Sequence, residues 1–361
     1  MSIEAVAKIS HKKHLKLVKD YEGAARSAML VYVSDSDAGI QRKKTGTGFT
    51  YWVDGKQVKD KDLLERIRKL AIPPAWEAVW ICKSENGHIQ ATGYDARKRK
   101  QYRYHPLWTV LRNETKFHKM IEFGKALPSL RLKMEKDLAL KDMCEQKVLA
   151  AIVSLMQRTY IRIGNNSYAK ENGSHGLTTL HDKHVEIEGS QISFSFKGKK
   201  SIDHKISINN KRLANIVKKC RDIPGKELFQ YYDSEGNRKP VDSGMVNSYI
   251  QEITHEQFSA KDFRTWAGCL HFLLAFKNMD TDKLEGKTKT SVNAMLDEVS
   301  KKLGNTRTVC RKYYVHPGII KLYEENKLQE YMAQLDSLEK DDNISGLTID
   351  ECVLMKLLEK I

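Results

Sequence analysis

The chain has 361 residues, length for one large or two ordinary domains, and its 62 lysines and arginines exceed its 46 acidic residues to give a formal charge of +16. That excess favours a polyanionic partner and is unevenly placed, because Lys321–Ile361 carries five lysines against ten acidic residues, so that a basic body ends in an acidic tail. A helical membrane span is excluded: the best apolar run, Cys269 to Phe276, is eight residues interrupted by His271, where about 20 are needed.

The N-terminus has no apolar stretch ending in a cleavage site, and the six cysteines (Cys82, Cys144, Cys220, Cys269, Cys310, Cys352) show no paired spacing. Both point to a cytoplasmic protein with reduced thiols. Cys310 has no histidine beside it and reads as packing.

From Leu30 to Ile89 the chain reads as short strands and turns. Gly46 and Gly48 precede the strand-like Phe49–Val53, and Asp54-Gly55 supplies a tight turn. Asp62 to Leu70 suits a short helix stopped by Pro73-Pro74, after which Val79–Cys82 and Ile89–Thr92 flank the hairpin signal Asn86-Gly87. A β-rich first domain over residues 1–125 is expected. Beyond Pro128 the pattern turns helical, with Val148, Ile152 and Leu155 on one face. A β insert follows: Val185 and Ile187 alternate, Gly189-Ser190 turns, Ile192, Phe194 and Phe196 alternate again, and Ile206 with Ile208 continues a third strand. Helical segments resume at Lys211. The fold class is therefore α+β in two domains, the second (126–361) mainly α with a small antiparallel sheet.

Chemistry concentrates in a few places. The densest positive run is Arg97-Lys98-Arg99-Lys100-Gln101-Tyr102-Arg103-Tyr104-His105. Cations can hold phosphates there while tyrosine and glutamine stack on or reach bases. Strand alternation puts Tyr102 and Tyr104 on one face and Arg103 on the other. In the second domain Arg162 lies just before Gly164, Lys199 lies at a hairpin tip, Lys261-Asp262-Phe263-Arg264-Thr265-Trp266 opens a helix, and Leu303-Gly304-Asn305 is followed nine residues after the asparagine by Tyr314. Each feature alone has a plain explanation in a surface ion pair, a solubilising lysine or a packed ring. Together they are much harder to produce by chance.

The set closely resembles the active-site pattern of type IB DNA topoisomerases. Ile72-Pro73-Pro74-Ala75-Trp76, Gly93-Tyr94-Asp95-Ala96-Arg97 and Asp37–Lys44 resemble the bacterial branch, and the likeness covers roughly Leu30 to Tyr323. It implies a tyrosine-recombinase-like catalytic domain and an enzyme that relaxes supercoiled DNA through a 3′-phosphotyrosyl intermediate. Tyr314 is then the nucleophile, Lys199 the general acid, and Arg162, Arg264 and Asn305 the transition-state donors. Tyr168 and Lys261 would contact DNA, as would Arg97, Arg99, Gln101, Tyr102 and Tyr104 on the first domain. Poxvirus enzymes carry histidine where this chain has Asn305, which can donate to phosphate without titrating near neutrality. The resemblance requires no metal, ATP or other cofactor. Gly286-Lys287-Thr288 lacks the glycine a phosphate-binding loop needs, position 281 being threonine. The expected partner is double-stranded DNA, clamped by a monomer with a hinge near Pro128, in the cytoplasm and, in a bacterium, the nucleoid. Two other readings share parts of the evidence: a tyrosine site-specific recombinase, disfavoured by Lys261 in place of histidine, and a non-catalytic DNA-binding protein.

Overall fold

Short alternating segments broken by tight turns pair into a six-stranded antiparallel sheet of order β3-β2-β1-β4-β5-β6. Its strands are β1 (Ile40–Thr45), β2 (Gly48–Val53), β3 (Lys56–Gln57), β4 (Glu77–Ile81), β5 (Ile89–Tyr94) and β6 (Lys100–Tyr104). This computed structural model describes residues 9–279, 288–333 and 346–361. The chain divides into two units, Met1–Lys119 and Met120–Ile361.

In the first unit Ile40, Val79, Ile81 and Ala91 form the buried side of the sheet and pack with Ile67 of helix α3 (Lys61–Lys69). Asp60 caps that helix, accepting from the Leu63 amide at 2.9 Å, and arginines and a lysine fill its last turn, where the helix dipole favours them. Two helices that the sequence left unassigned, α1 (His11–Leu17) and α2 (Tyr21–Ser27), bury Leu17, Ala24, Ala25 and Ala28 against Trp108 and Leu111.

Helix α4 runs from Pro106 to Leu138, so it begins more than 20 residues before the expected helical region, and Pro128 lies inside it. Local rules place a break there, since proline removes a backbone donor. Burial of Leu127, Leu130, Met134 and Leu138 on one side of the helix outweighs that cost.

The second unit is built around α5 (Glu145–Thr159), whose residues from Lys147 to Met156 are all buried. A helix apolar all round needs neighbours on every side, and α7 (Lys211–Asp222), α8 (Ser243–Thr254) and α9 (Ala260–Lys277) supply them. A short α6 (Asn166–Asn172) precedes the three-stranded antiparallel sheet β7 (Val185–Glu188), β8 (Gln191–Lys197) and β9 (Asp203–Asn209). The alternation read from the sequence holds, with Ile192, Phe194 and Phe196 buried. A two-stranded ribbon, β10 (Gln230–Tyr232) with β11 (Arg238–Pro240), leads into α8. The remaining described helices are α10 (Thr288–Leu303), α11 (Arg307–Tyr313), α12 (Pro317–Glu324), α13 (Leu328–Ala333) and α14 (Ile349–Lys360). No described helix is long and apolar enough to cross a membrane.

Candidate active site

Arg162 owes its position to the way α5 stops. Tyr160 takes a left-handed conformation (φ 55°, ψ 18°) that ends the helix. The chain then runs extended, pinned where Leu177 N donates to the Arg162 carbonyl at 2.9 Å and Thr178 N to that of Ile163 at 2.7 Å. Gly176 is required at this crossing, because a Cβ there would lie 2.4 Å from the Arg162 carbonyl oxygen.

Arg264 comes from the first turns of α9. Asp262 accepts from Ser259 N at 2.8 Å and closes a capping box that fixes where the helix begins. Arg264 is 4% exposed; its guanidinium donates to the carbonyls of Tyr160 and Leu303 and lies with its carbon 5.3 Å from the centre of the Tyr314 ring. Its Nε is buried and has no hydrogen-bond partner among the described residues.

Asn305 follows the turn at Gly304 (φ +56°) after α10. Its side-chain oxygen accepts from Arg162, while its buried Nδ2 has no partner among the described residues. Tyr314 caps α11, its amide donating to the Cys310 carbonyl at 2.9 Å. Its own carbonyl accepts from the Cys269 thiol at 3.3 Å on α9. Gly268 makes this contact feasible, since a Cβ there would stand 2.6 Å from the Tyr314 carbonyl oxygen.

The electrostatics follow from these positions. Burial lowers the Arg162 pKa to about 10, and the like charge of Arg264 adds to that effect. Burial alone would push the Tyr314 phenol up, but the charge of Arg264, with Arg162 and Lys261 behind it, outweighs that and holds the phenol below its ordinary value. Burial pushes the Cys310 thiol up to about 11, against the pull of both arginines, which suits a packed and unreactive group. One buried and one half-buried guanidinium, bonded to carbonyl and amide oxygens, with one spare amide donor, form a pocket suited to an oxyanion.

Lys199 sits exposed on a 3₁₀ turn (Lys199–Ser201) at the tip of the β8–β9 hairpin. Its hairpin is tied to the pocket through His204, which stacks on Phe196 at 5.1 Å between ring centres and touches both Gly198 and Gly304. Lys261, exposed in the first turn of α9, acts on Tyr314 through its charge. Arg162, Arg264, Asn305 and Tyr314 thus meet directly.

On the first unit, the positive run folds around Asp95. That carboxylate accepts from the Arg97 amide at 2.9 Å, from Arg99 Nε at 2.8 Å and from Gln101 Nε2 at 3.0 Å. Arg99 is therefore ion-paired as well as available on the surface. Tyr102 and Tyr104 stand on edge strand β6 with rings 5.6 Å apart and nearly parallel, 42% and 45% exposed. Arg103 points away from them and donates to the Ala71 carbonyl.

Residues 97–342 match the family described as eukaryotic DNA topoisomerase I, catalytic core, and residues 48–95 match the bacterial DNA topoisomerase IB N-terminal domain. The chain is 34% identical to DNA topoisomerase 1B of Acanthamoeba polyphaga mimivirus over 297 residues, covering 80% of this chain and 88% of the relative. It belongs to the type IB DNA topoisomerases. DNA topoisomerase 1B of vaccinia virus (strain Copenhagen) is 22% identical over 67% of this chain and 74% of its own. DNA topoisomerase 1 of rabbit fibroma virus (strain Kasza) is 22% identical over 84% and 95%.

The chain is thus a DNA-acting isomerase with an α+β fold. Sequence reasoning missed three residues of this topoisomerase site. His204 is opposite Phe196 in the hairpin register, and burial together with Arg162 and Arg264 lowers its pKa. Strand alternation around Lys199 could have found it. Gly268 and Cys269 carry a weaker signal, a glycine inside an otherwise regular helix pattern. Tyr168 lies in α6, with its side chain outside the described residues, as are positions 286 and 287 of the superficial phosphate-loop motif.

Proposed function

We propose that this topoisomerase relaxes supercoiled DNA by transient cleavage of one strand at Tyr314, acting as a monomer that grips one duplex wherever the cell keeps its DNA. The Tyr314 oxygen bonds to the scissile phosphorus as its proton leaves to solvent. The bond from phosphorus to the 5′-oxygen breaks, and Lys199 supplies the proton that the departing oxygen needs. Arg162, Arg264 and the spare Asn305 amide stabilise charge on the non-bridging oxygens, the work a divalent metal performs in other phosphoryl transfers. The 3′-phosphotyrosyl ester keeps the energy of the bond it replaces. Rejoining reverses the step without a nucleotide.

One observation carries this reading: a phenol held below its ordinary pKa under the Arg264 guanidinium, beside the Arg162–Asn305 pair. The helical second unit with its small hairpin sheet fits a tyrosine-recombinase-like catalytic fold, the hairpin delivering Lys199. Tyr168 and Lys261 contact the strand near the break, while Arg97, Arg99, Gln101, Tyr102 and Tyr104 contact the duplex from the first unit.

Plasmid relaxation in EDTA without ATP, with Tyr314→Phe inactive yet still binding DNA, is the expected result; unaltered relaxation by that variant removes Tyr314 as nucleophile. Lys199→Ala should slow cleavage of ordinary DNA by about 100-fold or more. A substrate with a better 5′ leaving group should recover most of that loss. No recovery would count against Lys199 as the acid.

A further inference from the structure

Behind the two arginines, four helices converge on one buried carboxylate. Glu351, in the first turn of α14, is 3% exposed. Its two oxygens accept from both terminal nitrogens of Arg131 on α4 at 2.7 and 2.8 Å, and Oε1 also accepts from Trp266 Nε1 on α9 at 3.1 Å. Arg131 Nε in turn donates to Gln157 on α5 at 3.1 Å, and Nη1 to the Gly346 carbonyl at 2.7 Å. The helices are in close contact here, since a Cβ on Gly124 of α4 would lie 2.2 Å from the Met355 sulfur and 2.7 Å from the Trp266 ring.

Two of the tethered helices lead to the site. Gln157 is two residues before the end of α5, after which come Tyr160, whose carbonyl accepts from Arg264, and Arg162. Trp266 is two residues beyond Arg264 and two before Gly268, against which Tyr314 rests. A single carboxylate therefore links the segment that carries Arg162 to the helix that carries Arg264 and the seat of the nucleophile. Buried ion pairs add little net stability compared with apolar packing, but they define one geometry, because a displaced partner leaves a bare charge.

We propose that Glu351 is a positioning residue for strand cleavage. Through Arg131 and Trp266 it fixes the separation of Arg162 and Arg264, which makes the C-terminal helix part of the catalytic apparatus. The inference rests on the reading of the two arginines as a phosphate clamp.

The test is single-turnover cleavage of a duplex with one scissile site, using the full chain at saturating concentration and well below its melting temperature. Glu351→Gln should cleave roughly 10- to 100-fold more slowly, with non-covalent DNA affinity within about threefold of the parent and the fraction of competent molecules unchanged. A second substrate carries a neutral methylphosphonate at the scissile position, removing the charge the arginines meet. There the loss should shrink to a few-fold, because misplaced arginines matter less. Should Glu351→Gln fail to fold, the apolar pair Arg131→Met with Glu351→Leu removes both charges and should show the same slow cleavage and the same narrowing. Parent-like rates with only a lower melting temperature or fewer competent molecules, or an equal loss on both substrates, overturn the proposal. Failure of the underlying reading looks different: Arg264→Ala would then cleave charged DNA as fast as the parent.

Discussion

Arg264 acts on Tyr314 as a charge over the ring, which favours the ionised phenol. Replacing it should therefore do more than reduce the rate. Arg264→Ala should cost about 100- to 1,000-fold in cleavage at neutral pH, the scale seen when one preorganised oxyanion donor is lost. It should also move the alkaline rise of the cleavage rate to higher pH. With the arginine present, the phenol ionises below its ordinary value; without it, burial pushes the value upward, so more alkali is needed for the same ionised fraction. Cleavage rates measured from pH 6 to 10 decide this, and a rise at the parent position would separate Arg264 from the nucleophile. Among single residues, the five expected to carry the chemistry were singled out because their joint spacing resembles that of type IB topoisomerases, and four of them, Arg162, Arg264, Asn305 and Tyr314, lie together. His204 was missed although hairpin register sets it opposite Phe196; its place against Gly304 emerges only when the chain folds.

At the level of elements, the seat of Tyr314 depends on what α9 omits. The backbone at the end of α11 packs against Gly268, where a Cβ would meet Tyr314 backbone and Cβ atoms at 2.6 and 2.7 Å. Backbone cannot swing aside as a side chain can. Gly268→Ala should accordingly cost about 1–3 kcal/mol of stability, against the fraction of a kcal/mol that alanine normally adds to a helix. It should slow cleavage as well, by moving the nucleophile from under Arg264. Thermal melting and cleavage rate together test this; a stabilised, fully active variant would mean that α11 yields freely. The elements themselves were largely legible. The β7–β9 turns, the α3 helix and the start of α7 follow period and turn chemistry. Helix α4 was not, because Gly124 and Pro128 read locally as interruptions, whereas close packing at the first and burial around the second retain the helix.

Across the whole molecule, buried neutral histidines set a limit in acid. His271 and His184 in the second unit and His14 in the first have pKa values lowered to about 4, with desolvation the largest cause in each. Their unfolded counterparts bind protons near 6.5, so between pH 6.5 and 4 the unfolded chain takes up protons that the fold refuses. Their contribution is complete above pH 6.5 and is lost as pH falls towards 4. Discounted for partial solvent access to about 1 kcal/mol each, the two in the second unit should lower its melting temperature by roughly 5 °C over that interval. Calorimetry across the range, with proton uptake read from buffers of different ionisation enthalpy, checks the sign; melting that is flat from pH 6.5 to 4 would contradict it.

Residue order alone pointed to a polyanionic partner, the α+β class and the tight turns, because charge, periodicity and turn chemistry are local properties that survive without coordinates, while the likeness to type IB topoisomerases named the residues expected to carry the chemistry. Folding brings what residue order does not show: the Arg264 guanidinium over the Tyr314 ring, a spare donor on Asn305, and, in the acidic tail, a helix whose Glu351 reaches Arg131 and Trp266. Those contacts join residues tens to hundreds of positions apart, and a side chain's charge state and orientation depend on neighbours that the order of residues along the chain does not reveal.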